Sequence, residues 1–105
     1  MIKLIASFGL LTLMATSAGA VTIIGMGNDK CSDWLSAAAD GGSPGGSYEQ
    51  WVAAFMSGLA VGDKIDFLKK TNLEGIINVV TEGCKLKPDN SIAEAVLAIV
   101  AKMEK

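Results

Sequence analysis

The sequence predicts a small all-α domain of four helices, orthogonal or bundle-like, held by one disulfide and preceded by a cleaved signal peptide. Three observations carry that expectation. Ser47/Gln50, Thr71/Glu74 and Ser91/Glu94 are Ser/Thr-x-x-Glu/Gln pairs, each heading an apolar run of 3.6-residue period. The chain holds two cysteines, Cys31 and Cys84. Its first 20 residues have the layout of an export signal: Lys3, a largely apolar run from Leu4 to Met14, then small residues ending in Ala18-Gly19-Ala20.

Cleavage after Ala20 leaves one domain, residues 21–105, and removes Lys3, so the net charge moves from −2 to −3. An uncleaved anchor is the alternative, because no charge falls between Lys3 and Asp29. Polar and glycine residues dilute the stretch after Met14, which favours cleavage. A Lys-flanked signal followed by a cysteine pair reads as export to a bacterial periplasm, with no membrane insertion once the signal is removed.

Taken in order, Val21–Gly27 is β-prone and glycine-bearing, an extended lead-in or a single edge strand. Its G-x-G lacks the strand–helix setting of a dinucleotide fingerprint. Asp29 is a candidate cap for a first helix, about 30–39, with Cys31, Trp34, Leu35 and Ala38 on one face. Residues 40–46 form a breaker with four glycines and a proline, read as a flexible connection because a phosphate loop would end in Gly-Lys-Ser/Thr.

Ser47 opens a second helix, about 47–61, with the stripe Tyr48, Trp51, Val52, Phe55, Met56 and Leu59. Gly62 ends it, and Gly58 with Gly62 would admit a close neighbouring backbone. Residues 63–70 read as a turn or loop. Thr71 heads a third helix, about 72–85, with Leu73, Ile76, Ile77, Val80 and Cys84 on one face. Its β-branched content leaves a strand at 76–80 as the alternative. Pro88 stops the segment. Ser91 heads a fourth helix, about 92–104, with Ile92, Val96, Ile99, Val100 and Met103 inward and Lys102 and Lys105 at its negative pole.

An even cysteine pair in a small exported domain is most simply one disulfide, Cys31–Cys84. A redox pair or metal ligands are the alternatives, and both want other spacing or more ligands. The bridge closes about 54 residues, for which the chain-entropy model gives about 4 kcal/mol.

Composition excludes whole classes of function. The chain carries 9 Lys+Arg, 11 Asp+Glu and no His, and every cation is lysine. There is no basic footprint for nucleic acid. The usual general base and the usual zinc ligand are missing. Neither cofactor nor metal is expected, and no catalytic residue is assigned. Asp63/Asp66 is the one acid–base pair to consider, three residues apart, and it reads more simply as a solvated face.

Cys31-Ser32-Asp33-Trp34-Leu35, Thr71-Asn72-Leu73, Ile76, Val79-Val80 and Cys84-Lys85-Leu86-Lys87-Pro88 resemble the HdeA/HdeB family of periplasmic acid-stress chaperones. The resemblance covers about 31–100. It implies a helical protein whose two cysteines join helices and which binds unfolded periplasmic proteins. The glycine-rich 41–46 stretch and the Trp51-x-x-x-Phe55-x-x-Gly58-x-x-x-Gly62 helix depart from that pattern. That helix, lying between the two cysteines, looks closer to the immunity proteins that guard a periplasm against type VI secretion amidases.

Both resemblances imply a non-catalytic protein whose partner is another protein, an unfolded client or a toxin. The chaperone reading has a physical basis in the carboxylates. Between neutral pH and about pH 2 all 11 lose their charge, which swings the side-chain total of 21–105 from −3 to +8. Trp51, Phe55, Ile92 and Val96 are the candidate protein-binding residues once the domain loosens. For an immunity protein, Asp63, Asp66, Glu74 and Glu82 would face a basic enzyme. A homodimer fits either reading, because the second and fourth helices carry wide apolar stripes.

Overall fold

The computed structural model describes residues 21–39 and 45–105. The signal peptide and most of the glycine-rich connection lie outside the described residues. A 3-10 turn, Met26–Asn28, leads into four helices: α1 (Cys31–Ala39), α2 (Gly45–Asp63), α3 (Leu73–Leu86) and α4 (Ile92–Met103). Among the described residues there is no strand, only an isolated antiparallel bridge between Lys30 and Ser91. Val21–Ile24 is irregular, so the edge strand allowed for the lead-in does not form. The β-branched run at 76–80 lies in α3.

The predicted faces are the buried ones with two exceptions: Leu73, the first residue of α3, is 39 % exposed at the edge of the core, and on α1 it is Ala37 rather than Ala38 that is buried. Cys31 and Trp34 on α1, Val52 and Met56 on α2, Ile76, Val80 and Cys84 on α3, and Ile92, Val96 and Val100 on α4 form one core. Ala93 and Ala95 are buried as well, so α4 is apolar over more of its circumference than the stripe alone required. The Cys31–Cys84 disulfide is present, with Cα atoms 4.9 Å apart, and ties the start of α1 to the last turn of α3. Beside it, the Trp34 indole Nε1 donates to Thr81 Oγ1 at 2.9 Å, and Thr81 in turn donates to the Ile77 carbonyl at 2.7 Å. A buried indole N–H needs such a partner. A small domain with this bridge fits an oxidising, exported location.

The helix ends separate the expectations. Ser91 and Glu94 make the complete box: Glu94 N–H donates to Ser91 Oγ at 3.1 Å and Ser91 N–H to Glu94 Oε1 at 2.9 Å. In α3 the cap is Asn72 rather than Thr71, with Gly75 N–H donating to Asn72 Oδ1 at 2.9 Å. Asparagine is among the best cap residues, and Gly75 leaves room for the Thr71 hydroxyl where a Cβ would stand. α2 is already running at Gly45, so Ser47 lies inside its first turn and heads nothing. Glycine is tolerated there because first-turn N–H groups have no intrahelical partner to lose.

Gly62 does not end α2. The helix continues to Asp63, and the reversal falls on Lys64, whose φ is 57°. Ile65 N–H donates to Ala60 O at 3.2 Å and Lys64 N–H to Val61 O at 3.3 Å, the 6→1 and 5→2 pair of a Schellman end. Those two bonds hold a lysine in the left-handed region that glycine more commonly takes. Gly58 and Gly62 are exposed with open space where their Cβ atoms would be, so no neighbouring backbone of this chain uses the gap.

Candidate protein-binding surface

The four candidate binding residues fall into two groups. Trp51 and Phe55 are half-buried on α2, their ring centroids 4.8 Å apart. Ile92 and Val96 are 0 % exposed, at the centre of the core. In the closed domain they are no surface, and a partner reaches them only if α4 comes away. The reason is their register: 92, 96 and 100 sit one turn apart on the face that α3 covers.

Trp51 is held by a contact that no local pattern announces. The G-x-G of the lead-in is its seat. A Cβ at Gly27 would overlap the Trp51 ring, and one at Gly25, where φ is 100°, would stand 3.0 Å from its Nε1. The glycines thus serve close packing against an indole, one of the two uses of glycine that sequence alone does not distinguish from a turn.

Residues 29–33 and 88–94 form a seam. Cys31 N–H donates to Asn90 O at 2.7 Å, Ser32 N–H to Pro88 O at 3.0 Å and Ile92 N–H to Asp29 O at 2.9 Å. The first two satisfy N–H groups that α1 would otherwise leave open at its start. Asp29 was the expected cap of α1, but its carboxylate is turned elsewhere. Tyr48 Oη donates to Asp29 Oδ2 at 2.8 Å, and Asp33 Oδ2 accepts from Lys30 N–H at 3.3 Å. With Glu94, three carboxylates accept hydrogen bonds within this one seam.

Their electrostatic consequences are specific. The hydrogen bond to Asp29, then burial, then the charges of Asp29 and Asp33 push the Tyr48 phenol from 10.0 to about 12. The backbone N–H of Ser91 first, then its hydroxyl, hold Glu94 below the ordinary glutamate range, against a smaller upward push from desolvation. Glu104, at the other end of α4, is shifted the other way. A hydrogen bond shared with the Asp63 carboxyl, then burial and the Asp63 charge, raise it. Its Oε2 is shielded from solvent and meets no donor.

Two apolar grooves flank α4. The larger, about 500 Å³, lies between the lead-in, α2 and the first turns of α4, with Phe55, Leu59, Ala93 and Leu97 in its walls. The smaller, about 250 Å³, lies between the end of α3 and α4, with Leu86, Ile99, Lys87 and Lys102 around it. Leu59 and Leu97 escaped the list of candidates because periodicity separates inward from outward but does not show a cleft between helices. Asp63, Asp66, Glu74 and Glu82 are all exposed, and Glu82 pairs with Lys85 at 2.9 Å.

Among the described residues no group of three His, Cys, Asp or Glu side chains is placed to hold a metal ion, and no helix is long and apolar enough to cross a membrane. Compared with protein-family models, curated proteins and solved structures, the chain has no match.

Proposed function

We propose that this protein is a periplasmic, non-catalytic binding protein, an HdeA/HdeB-like acid-stress chaperone that takes up unfolded proteins when its domain loosens in acid. The observation that carries the reading is the seam. Three of its side-chain contacts depend on carboxylates, at Asp29, Asp33 and Glu94, and they sit over Ile92, the first residue of α4, next to the lead-in that covers Trp51. At Glu94 the Ser91 N–H donates to an ionised acceptor, and such charge-assisted hydrogen bonds are roughly twice as strong as neutral ones, a difference that protonating Glu94 removes.

The sign follows from Glu94. Its folded pKa is lowered, so its contribution to stability is complete above the unfolded value of 4.5 and is lost as pH falls through the folded value. The same descent removes negative charge across a domain that keeps eight lysines after the signal is removed, which adds self-repulsion. The backbone bonds of the seam and the Cys31–Cys84 bridge do not titrate in this range. An opened chain therefore stays tethered while Trp51, Phe55, Ile92 and Val96 become available to apolar client segments.

The test is an acid titration of the exported, oxidised protein from pH 7 to pH 2, followed by tryptophan fluorescence and hydrophobic-dye binding. Solubility of an unrelated acid-labile protein is measured alongside. Loosening below about pH 4 with client protection is the expected outcome. A domain that stays closed at pH 2 and protects nothing sinks the reading. The search then turns to a neutral-pH complex with a cell-wall amidase, the immunity alternative.

A further inference from the structure

We infer that removal of the signal arms a clasp: the new Val21 ammonium pairs with the Glu94 carboxylate in the wall of the larger groove and straps the lead-in over its apolar floor. The inference rests on the exported reading, in which the mature chain starts at Val21. Hydrolysis of the Ala20–Val21 bond takes up one water and leaves the carboxyl group on Ala20. Val21 gains an amine, which carries a proton at neutral pH.

Three observations point to the pair. The first is shared lining. Val21 and Glu94 both line the groove of about 500 Å³, and its other side chains, among them Phe55, Leu59 and Leu97, are uncharged. A positive chain end placed there has one carboxylate to meet. The second is the open half of that carboxylate. Glu94 Oε1 accepts from Ser91 N–H at 2.9 Å, while among the described residues Oε2 accepts from no donor and no lysine forms an ion pair with it.

The third observation is the lead-in. Among the described residues Val21–Ile24 is neither helix nor strand and makes no backbone–backbone hydrogen bond, and Ile23 alone of the four is half-buried. A segment held so lightly gains most from a fixed end. The charges around Glu94 are few. Lys87, just past α3, acts on it through space without pairing. Lys30 meets Ser91 through the backbone bridge and forms no ion pair among the described residues. α2 brings only Phe55 and Leu59 to the groove. The positive pole of α4 opposes an ammonium, so the carboxylate is what holds it there.

Such a clasp is closed while both groups are charged. It opens in acid as Glu94 takes up a proton, and again in base as the amine loses one. Before cleavage Val21 N is an amide and the clasp does not exist, so closure of the groove is tied to processing.

The exported, oxidised protein is first weighed by mass spectrometry, and Val21 is then followed by NMR from pH 6 to pH 10. A terminal amine ordinarily titrates at about 7.7–8.0, and Val21 should titrate about 0.5 above that range. In Glu94→Gln, whose side chain can still accept the Ser91 N–H, it should return to the range or below it. Acetylating the Val21 amine should raise the Glu94 titration by the amount that Glu94→Gln lowers that of Val21, because coupling between two sites is reciprocal. Lys30→Gln and Lys87→Gln should leave Val21 above the ordinary range.

A Val21 amine that titrates within the ordinary range in the parent, or equally in the parent and Glu94→Gln, would overturn the clasp. A mass that still includes residues 1–20 would overturn it together with the cleavage. The Val21 titration is read in the folded domain at neutral and alkaline pH. Failure of client protection in acid with this pair intact would therefore sink the chaperone reading alone.

Discussion

Glu94 and Glu104 stand at opposite ends of α4 and differ chiefly in what faces them. Glu94 lies in the first turn, accepts the Ser91 N–H at 2.9 Å and is held below its ordinary pKa. Glu104 caps the last turn, faces the Asp63 carboxyl at the end of α2, and is raised. Glu94 is also at the positive pole of its helix, while Glu104 and Asp63 are both at negative poles. One residue type thus serves two opposite functions. Glu94 stabilises the fold where it is ionised. Glu104 does so where it is protonated, since a group with a raised folded pKa contributes fully below its unfolded value and loses that contribution as pH rises through the folded one. Acid should therefore release the start of α4 while holding its end to α2, a hinged opening rather than uniform melting.

The largest expected effect concerns what both ends share. The Cys31–Cys84 bridge closes the frame that α4 packs against, and replacing both cysteines by serine should cost about 4 kcal/mol in chemical denaturation. A domain of this size has roughly 5 kcal/mol of net stability, so the variant should keep only about 1 kcal/mol and have a sizeable minority of molecules unfolded at 37 °C. A variant that remains folded with an unchanged acid midpoint would show that the tether is dispensable. Next comes Gly27→Ala. The added methyl has no space beneath the Trp51 ring, and overpacking of this kind costs about 1–3 kcal/mol. Fluorescence should report a more exposed indole at pH 7, and an unchanged spectrum would contradict the seat.

How much of this was legible beforehand divides along the range of the contacts. The Ser91/Glu94 box was fully readable because both partners lie within one turn and the apolar run starts immediately after. The Thr71 box was displaced by one residue. Thr71 had a glutamate three places on and Asn72 had a glycine, and the structure favoured the better single cap over the better-looking pair. Lys64 was unreadable as the end of α2, because nothing in its side chain marks a left-handed residue and Gly62 stood nearby as the ordinary choice. The Tyr48–Asp29 bond, the Trp51 seat and the Phe55/Leu97 groove each join residues 19 or more apart through folding alone, so no periodicity contains them. The half-buried placement of Trp51 and Phe55 follows from their position on the stripe of α2. That Ile92 and Val96 are inaccessible until opening could be read only from the packed core.

The seam can be sharpened with Ser91→Ala. Loss of the cap should cost about 1 kcal/mol at pH 7. It should also remove part of the pH dependence, because Glu94 loses the hydroxyl that helps hold it ionised. Stability measured against pH should then fall less steeply below pH 4.5 than in the parent, with the two curves converging in acid. Curves that stay parallel would mean that Glu94 is not among the groups that set the acid response.

The smallest effect is at the other end, and its sign is what matters. Glu104→Gln removes a carboxylate that faces Asp63 and supplies an amide that can donate to it, as a protonated glutamate would. The variant should be slightly more stable than the parent at pH 7. The advantage should shrink as pH falls, because the parent then gains the proton that the amide permanently imitates. If the hinge is real, the variant should also keep the contact between the ends of α2 and α4 at neutral pH as firmly as the parent does in acid. Hydrogen exchange at Ala101–Met103 would read this directly. Faster exchange there at pH 7 would mean that Glu104 contributes as a charge after all, and the two ends of α4 would then answer acid in the same direction.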